Sequence, residues 1–167
     1  MAAADRRMKL RPPCAQERDI LTAICMRSKA YWGYDDLFMA RSVPVLTGTG
    51  EMIASGLVLV LADHQNHPAG VAALETTDRP DWLELALFFI DPVCIGQGGG
   101  RILFDGITRL ARRRGAAMLK ILADPNAVPF YERMGCETRG DVPSEVIPDR
   151  CLPLCLFNLA QAGGAEL

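Results

Sequence analysis

Apolar and polar residues alternate along this chain in two rhythms. Met8 to Arg11, Leu57 to Ala62, Ala69 to Thr76, Leu83 to Ile90, Met118 to Ala123, Cys136 to Val142 and Leu152 to Leu159 read as strands, the first and sixth of mixed polarity and the others short apolar runs set off by polar loops. Between them lie segments with helical spacing. Ala15 to Arg27 repeats Ile20, Leu21, Ile24 and Cys25, and a second helical piece covers Asp35 to Ala40. Gly99 to Arg114 puts Leu103, Ile107, Leu110 and Ala111 on one face, and Ala127 to Met134 follows Asp124-Pro125-Asn126 as a short helix. Thr47-Gly48-Thr49-Gly50 reads as a turn, Asp63 to Pro68 as an exposed hairpin loop, and Ala160 to Leu167 as a frayed tail.

This alternation predicts a layered α/β or α+β domain. The three strands between Leu57 and Ile90 form an antiparallel meander. Leu83 to Ile90, the helix from Gly99 and Met118 to Ala123 form a parallel, right-handed crossover. Arg112-Arg113-Arg114 complement the negative end of that helix, and Gly115 is its C-cap.

With 167 residues, 50% of them hydrophobic and 23% charged, the chain has the makings of one domain, 1–167, that needs no disulfide or metal. A formal charge of -2 gives no electrostatic footprint for nucleic acid. Met1 to Pro13 carries Asp5, Arg6, Arg7, Lys9 and Arg11 without an apolar stretch, so it is read as neither signal peptide nor membrane anchor, and a cytoplasmic location is expected. Six cysteines lack zinc-finger spacing, and His64 and His67 sit in a turn, so no metal site is expected and the thiols are read as reduced and mostly buried.

The chemistry begins where the strand Leu83 to Ile90 passes through Asp91-Pro92 into Gly96-Gln97-Gly98-Gly99-Gly100-Arg101 and the next helix. Each glycine in a helix costs about 1 kcal/mol relative to alanine. Three in succession at a helix start leave bare amides suited to a phosphate, or else a flexible turn. A Rossmann fingerprint read from Gly96 lacks its final glycine, and a P-loop lacks Gly-Lys-Ser/Thr.

Phe88-Phe89-Ile90-Asp91-Pro92 with Gly96 to Gly100, then Asp124-Pro125-Asn126-Ala127, then Phe130-Tyr131-Glu132-Arg133-Met134-Gly135, resemble in order and spacing the GNAT superfamily of acyl-CoA-dependent N-acyltransferases. The resemblance covers nearly the whole chain. Ser28 to Asp36, with Pro143-Ser144, Ile147-Pro148, Arg150 and Leu152-Pro153, is similar to one bacterial branch of it. One departure is Ile95, where the family's phosphate motif usually opens with Arg or Gln. Main-chain amides hold the diphosphate, so this weakens the motif without removing its mechanism.

The resemblance implies an α+β, three-layer αβα fold. Its mixed, largely antiparallel sheet would have about seven strands, splayed between the fourth and fifth, with about four helices. It further implies an N-acetyltransferase that passes the acetyl group of acetyl-CoA to a primary amine by direct attack, with no metal. Gly96, Gln97, Gly98, Gly99, Gly100 and Arg101 would hold the diphosphate. The main chain of Phe88, Phe89 and Ile90 would pair with the pantetheine arm, Asn126 would bond it or cap a helix, and Tyr131 would protonate the leaving sulfur. In this reading Phe130 faces the core and Tyr131 the cleft.

An amine of pKa about 10.4 is almost wholly protonated at pH 7, so a base is useful. Glu84, the only carboxylate inside its apolar strand, is read either as that base, once burial raises its pKa, or as the solvated face of the strand. Asp91 is a second candidate, otherwise a turn former, and the amide of Ile90 is placed to polarise the carbonyl. Tyr31, Trp32 and Tyr34, with Asp35 and Asp36, suit a cationic acceptor or pin helices to the sheet. Pro143 to Arg150 is read as a loop closing over the acceptor. The acceptor is expected to be a small-molecule or protein amine, with no nucleic-acid or membrane partner and with homodimers common in such families. The competing reading is a GNAT-like domain that binds acyl-CoA without turnover.

Overall fold

The computed structural model describes residues 7–48 and 50–162. In chain order they form β1 (Lys9–Arg11), α1 (Arg18–Ala30), α2 (Asp36–Leu46), α3 (Gly50–Ala54), β2 (Val58–Ala62), β3 (Pro68–Thr76), β4 (Trp82–Ile90), α4 (Gly99–Arg113), β5 (Met118–Leu122), α5 (Val128–Arg133), β6 (Glu137–Pro143), β7 (Cys151–Asn158) and α6 (Leu159–Ala162). The seven strands are ordered β1-β2-β3-β4-β5-β7-β6. Two compact units share them. One takes the chain to Ala73 and Leu87–Ile107, the other Leu74–Ala86 and the chain from Thr108.

In the first unit β2 pairs antiparallel with both β1 and β3, Leu61 opposite Leu10 and Val60 opposite Val71. Its continuous apolar run is explained by cover on both faces. Val58 and Val60 join Val71, Ala73 and Leu87 in a cluster with Leu21, Ile24, Cys25 and Leu46 of the helices. Leu59 and Leu61, pointing the other way, meet α4 at Gly106 and Gly99. A Cβ on Gly106 would lie 2.3 Å from Leu10 Cδ1, and one on Gly99 2.7 Å from Leu61 Cδ2, so glycine sets how closely α4 approaches these strands. Burying each Leu, Ile or Val of the cluster contributes roughly 1.5–3 kcal/mol.

In the second unit β4 and β5 run parallel, but their register takes in only Trp82–Glu84 opposite Met118–Lys120. β7 pairs antiparallel with β5 on one side and β6 on the other. Between Thr138 and Asp141 the β6 register slips by one residue at a bulge containing Gly140, whose φ is +88°. The C-cap expected at Gly115 is present: φ is +83°, with Gly115 N–H donating to Arg112 O and Ala116 N–H to Ala111 O. Arg112 does more than complement the helix end, since its Nε donates to Leu159 O at 3.0 Å.

Local expectations shift in four places. The second helix runs past Ala40 and Pro44 to Leu46, capped at its start by Asp35, which accepts from Phe38 N–H at 2.8 Å. Gly50 opens α3 instead of closing a turn, and Thr49 lies outside the described residues. Five residues are too few to show a helical period. The first helix is preceded by a 3-10 turn, Ala15–Glu17, tied to β1 by a bidentate Arg11–Glu17 pair at 2.6 and 3.0 Å. Part of the tail expected to fray is α6, while 163–167 and the stretch holding Asp5 and Arg6 lie outside the described residues.

Candidate active site

In the first unit β4 ends at Ile90, and Asp91 turns the chain. Its N–H donates to Ala69 O at 2.8 Å, one carboxylate oxygen accepts from Val93 N–H at 3.3 Å, and the other accepts from Arg27 Nη2 at 2.6 Å. Asp91 is therefore an ion-paired cap, as the turn-former reading expected. It launches the 3-10 turn Pro92–Cys94 that leads into the glycines.

Gly96 and Gly98 both take left-handed conformations, φ +85° and +79°, with open space where a Cβ would sit. No described residue accepts from the amides of Gly96, Gly98, Gly99, Gly100 or Arg101. Four of these five are successive N–H groups at the start of a fifteen-residue helix, where the backbone dipole adds partial positive charge. The first turn of α4 has no acidic residue to balance that charge and instead carries the exposed Arg101. Unpaired donors, a positive helix end and an added cation are complementary to a phosphate, so the residues present fit a diphosphate. Gln97 departs from the set: its N–H bonds Cys94 O and its side chain turns back to Val93 O, each at 3.4 Å. Ile95 and Val93 are exposed beside the glycines. An apolar pocket lined by Leu21, Cys25, Leu46, Met52, Val58 and Leu87 lies elsewhere in this unit, beneath α1.

Beside these residues on β4, Phe88 packs edge-on against Phe104 of α4, and Phe89 supports the core cluster. Their side chains are thus engaged in packing, which leaves main-chain roles open to them. Tyr31 and Trp32, at the end of α1, are exposed and meet edge to face at 5.4 Å. Tyr34 stacks on Phe38 at 3.9 Å, with Lys29 Nζ 5.2 Å above its ring. Only Tyr34 of the three is held in helix packing.

In the second unit Glu84 is half-buried on β4, opposite Lys120 in the β4–β5 register. Burial raises its pKa, Lys120 pulls it back, and the negative fields of Glu75 and Glu145 push it up again, leaving it above the ordinary value. Asn126 follows β5. Asp124, not Asn126, is the cap here: its Oδ1 accepts from Asn126 N–H at 2.9 Å and from Asn126 Nδ2 at 3.0 Å. Tyr131 is the buried member of the aromatic pair at 5% exposure, while Phe130 is half-buried, the reverse of the expected division. The edge-to-face contact of their rings at 5.4 Å sends them in different directions, as adjacent helical residues must go. Burial pushes the Tyr131 phenol well above its ordinary pKa, with smaller contributions from Cys136, Cys155 and Asp124. Cys25 and Cys136 are raised to about 12 by burial, which makes them inert thiols.

Sequence reasoning missed the Arg27–Asp91 pair and the contact between Arg150 Nη2 and Asp124 Oδ2 at 3.6 Å. Both join residues far apart in the chain. The Asp-Pro turns did carry a signal for the caps, since Asp before Pro is a turn and cap former.

Residues 42–145 match the family model of the acetyltransferase (GNAT) domain, and the chain belongs to that acyl-transferring family. A candidate acetyltransferase of Bacillus subtilis (strain 168) is 28% identical over 87 residues, 49% of this chain and 54% of that protein, so the match spans about half of either. Among solved structures, an N-acetyltransferase of Rhodopseudomonas palustris aligns with a TM-score of 0.73 at 22% identity, covering 90% of this chain and 94% of that one. The PaiA N-acetyltransferase of Thermoplasma acidophilum, in complex with coenzyme A, gives 0.74 at 11% identity, covering 91% and 99%. YncA of Salmonella typhimurium, with acetyl-CoA, gives 0.66 at 17%, covering 92% and 94%. At these identities the structures establish the fold, an α+β GNAT architecture.

Proposed function

We propose that this chain is a single-domain N-acetyltransferase that moves the acetyl group of acetyl-CoA to the primary amine of a small molecule or a protein. The observation that carries the reading is the row of unpaired amides at Gly96 and Gly98–Arg101 directly after β4. The coenzyme A in one of the neighbours above and the acetyl-CoA in another support it. When bound, acetyl-CoA supplies an activated thioester.

The amides and Arg101 grip the diphosphate. Along β4 beyond Glu84, where the register with β5 has ended, the main chain of Phe88, Phe89 and Ile90 bonds the arm as an added strand would, and Asn126 bonds it from its Asp124-capped turn. Ile90 N–H polarises the thioester carbonyl. Glu84, its pKa raised above the ordinary value by burial, accepts the proton of the amine directly or through water. Tyr131, protonated at neutral pH, passes its proton to the departing sulfur and regains one from the nitrogen that has been acylated, so that the cosubstrate leaves as the thiol. The exposed faces of Tyr31 and Trp32, with Tyr34, receive the cationic acceptor.

A second reading, acyl-CoA binding without turnover, is favoured by the burial of Tyr131, since a phenol of raised pKa is a poor proton donor. Thiol release from acetyl-CoA with a panel of amines separates the two. The enzyme reading expects release with some amine and a large loss in Tyr131→Phe. Coenzyme A binding by calorimetry with no release from any amine would give the second reading the case, and absence of binding would sink both.

A further inference from the structure

Arg150 ends the 144–150 segment between β6 and β7. Its carbonyl accepts from Ser144 N–H at 2.6 Å, Ser144 Oγ accepts from the amides of Val146 and Ile147 at 3.2 and 3.1 Å, and Arg150 N–H returns to Ile147 O at 3.3 Å. The segment is thus closed on itself, and Arg150 is the residue where it shuts.

Its guanidinium leaves the loop. Nη2 lies 3.6 Å from Asp124 Oδ2, with the Arg150 side chain 18% exposed and the Asp124 side chain 13% exposed. An ion pair this sheltered is far less screened than a surface pair. The other oxygen of Asp124 takes both the backbone and side-chain N–H groups of Asn126. One carboxylate therefore stands between a loop and the residue assigned to the cofactor arm.

We propose that Arg150 is a positioning residue. It holds the Asp124 carboxylate in the orientation that aims the Asn126 amide, and by the same contact fixes the 144–150 loop to the end of β5. This inference rests on the coenzyme A-binding reading. Glu145, on that loop, is near enough to act on Glu84 electrostatically, so the segment Arg150 fixes also bears on the proposed base.

The test is a double-mutant cycle read by calorimetric titration of coenzyme A into the full chain: wild type, Arg150→Gln, Asn126→Ala and the double variant. Arg150→Gln is expected to weaken binding about five- to tenfold, Asn126→Ala by a similar factor, and the double variant by no more than about twofold beyond the stronger single. Arg150→Lys, which keeps the charge, is expected to recover part of the loss. A role confined to stability would lower the melting temperature and the fraction of competent protein while leaving the dissociation constant unchanged. Unchanged affinity in Arg150→Gln, or losses that multiply in the double variant, would overturn the inference. If Arg150→Gln fails to fold, Arg150→Met, which also removes the charge, takes its place in the cycle under the same criterion. Wild type that binds with a multiplicative cycle removes this inference alone, whereas wild type that does not bind removes the underlying reading too.

Discussion

Arg27 Nη2 sits 2.6 Å from Asp91 Oδ2, joining α1 to the residue that follows β4 and starts the turn into the glycines. The carboxylate is 12% exposed and the guanidinium side chain 54%. The two partners are therefore unequal. Asp91→Ala removes both the ion pair and the cap on Val93, and is expected to cost about 2–3 kcal/mol in urea denaturation. Arg27→Ala, which opens a half-exposed pair, is expected to cost about 1 kcal/mol or less. Equal losses would show that Asp91 acts only through Arg27.

The glycines divide by mechanism. Gly106→Ala sets a Cβ 2.3 Å from Leu10 Cδ1, and overpacking of this kind costs about 1–3 kcal/mol, partly offset by better helix propensity. Coenzyme A affinity should be unchanged. Gly98→Ala meets no atom but forces φ of +79° on an L residue, a strain of about 1–2 kcal/mol. Calorimetry should then find binding weaker by roughly tenfold. The reverse pattern would separate the glycine segment from the ligand.

Glu84 carries a raised pKa, so between its unfolded value near 4.5 and the higher folded value the native state binds more protons than the unfolded state, and stability falls as pH rises through that window. Glu84→Gln should abolish this slope and leave stability at pH 7 unchanged or slightly increased. If Glu84 is the base of the proposed reaction, the transfer rate should rise with pH as it ionises, and the substitution should lower kcat by about a hundredfold. A rate that ignores Glu84→Gln would return this residue to the solvated strand face.

Glu17 shows the opposite sign. Arg11, with help from Cys14 N–H, lowers its pKa, so the pair's stabilisation is complete above the ordinary value of 4.5 and is lost as pH falls through the lower folded value. Acid unfolding followed by circular dichroism should begin at higher pH in Glu17→Gln. Identical acid limbs would mean the pair contributes nothing measurable.

Tyr131→Phe removes one hydroxyl from a buried ring. If that hydroxyl meets the leaving sulfur, kcat for thiol release should fall by about a hundredfold while the dissociation constant for coenzyme A stays within about twofold. An unchanged kcat would confine Tyr131 to the core.

Periodicity made the layers legible because long elements average over local exceptions. β2, β4 and α4 were readable within one or two residues, since their apolar positions repeat against a continuous partner. Shorter pieces were not. α3 has too few residues to show a period, and at Pro44 the helix continues where proline usually marks an end. The β6 bulge breaks strand alternation, so Thr138 and Asp141 face the same way although sequence counting puts them on opposite sides. The glycine segment was legible because its chemistry lies in backbone, which composition reveals. The burial of Tyr131, the Asp124 cap and the ion pairs of Arg27 and Arg150 depend on tertiary contacts that local sequence does not encode.

Bare positions at Gly99 and Gly106 reverse the usual division of labour between a helix and the strands beneath it. At these two positions Met8, Leu10, Leu59 and Leu61 rise to fill the contact and the helix offers only its backbone, while Leu103, Phe104 and Ile107 are buried from the turns between. Tolerance to substitution at these sites is therefore shared: enlargement on the helix calls for trimming on the strand. A lineage that acquired alanine at 106 would be expected to carry a shorter residue at 10.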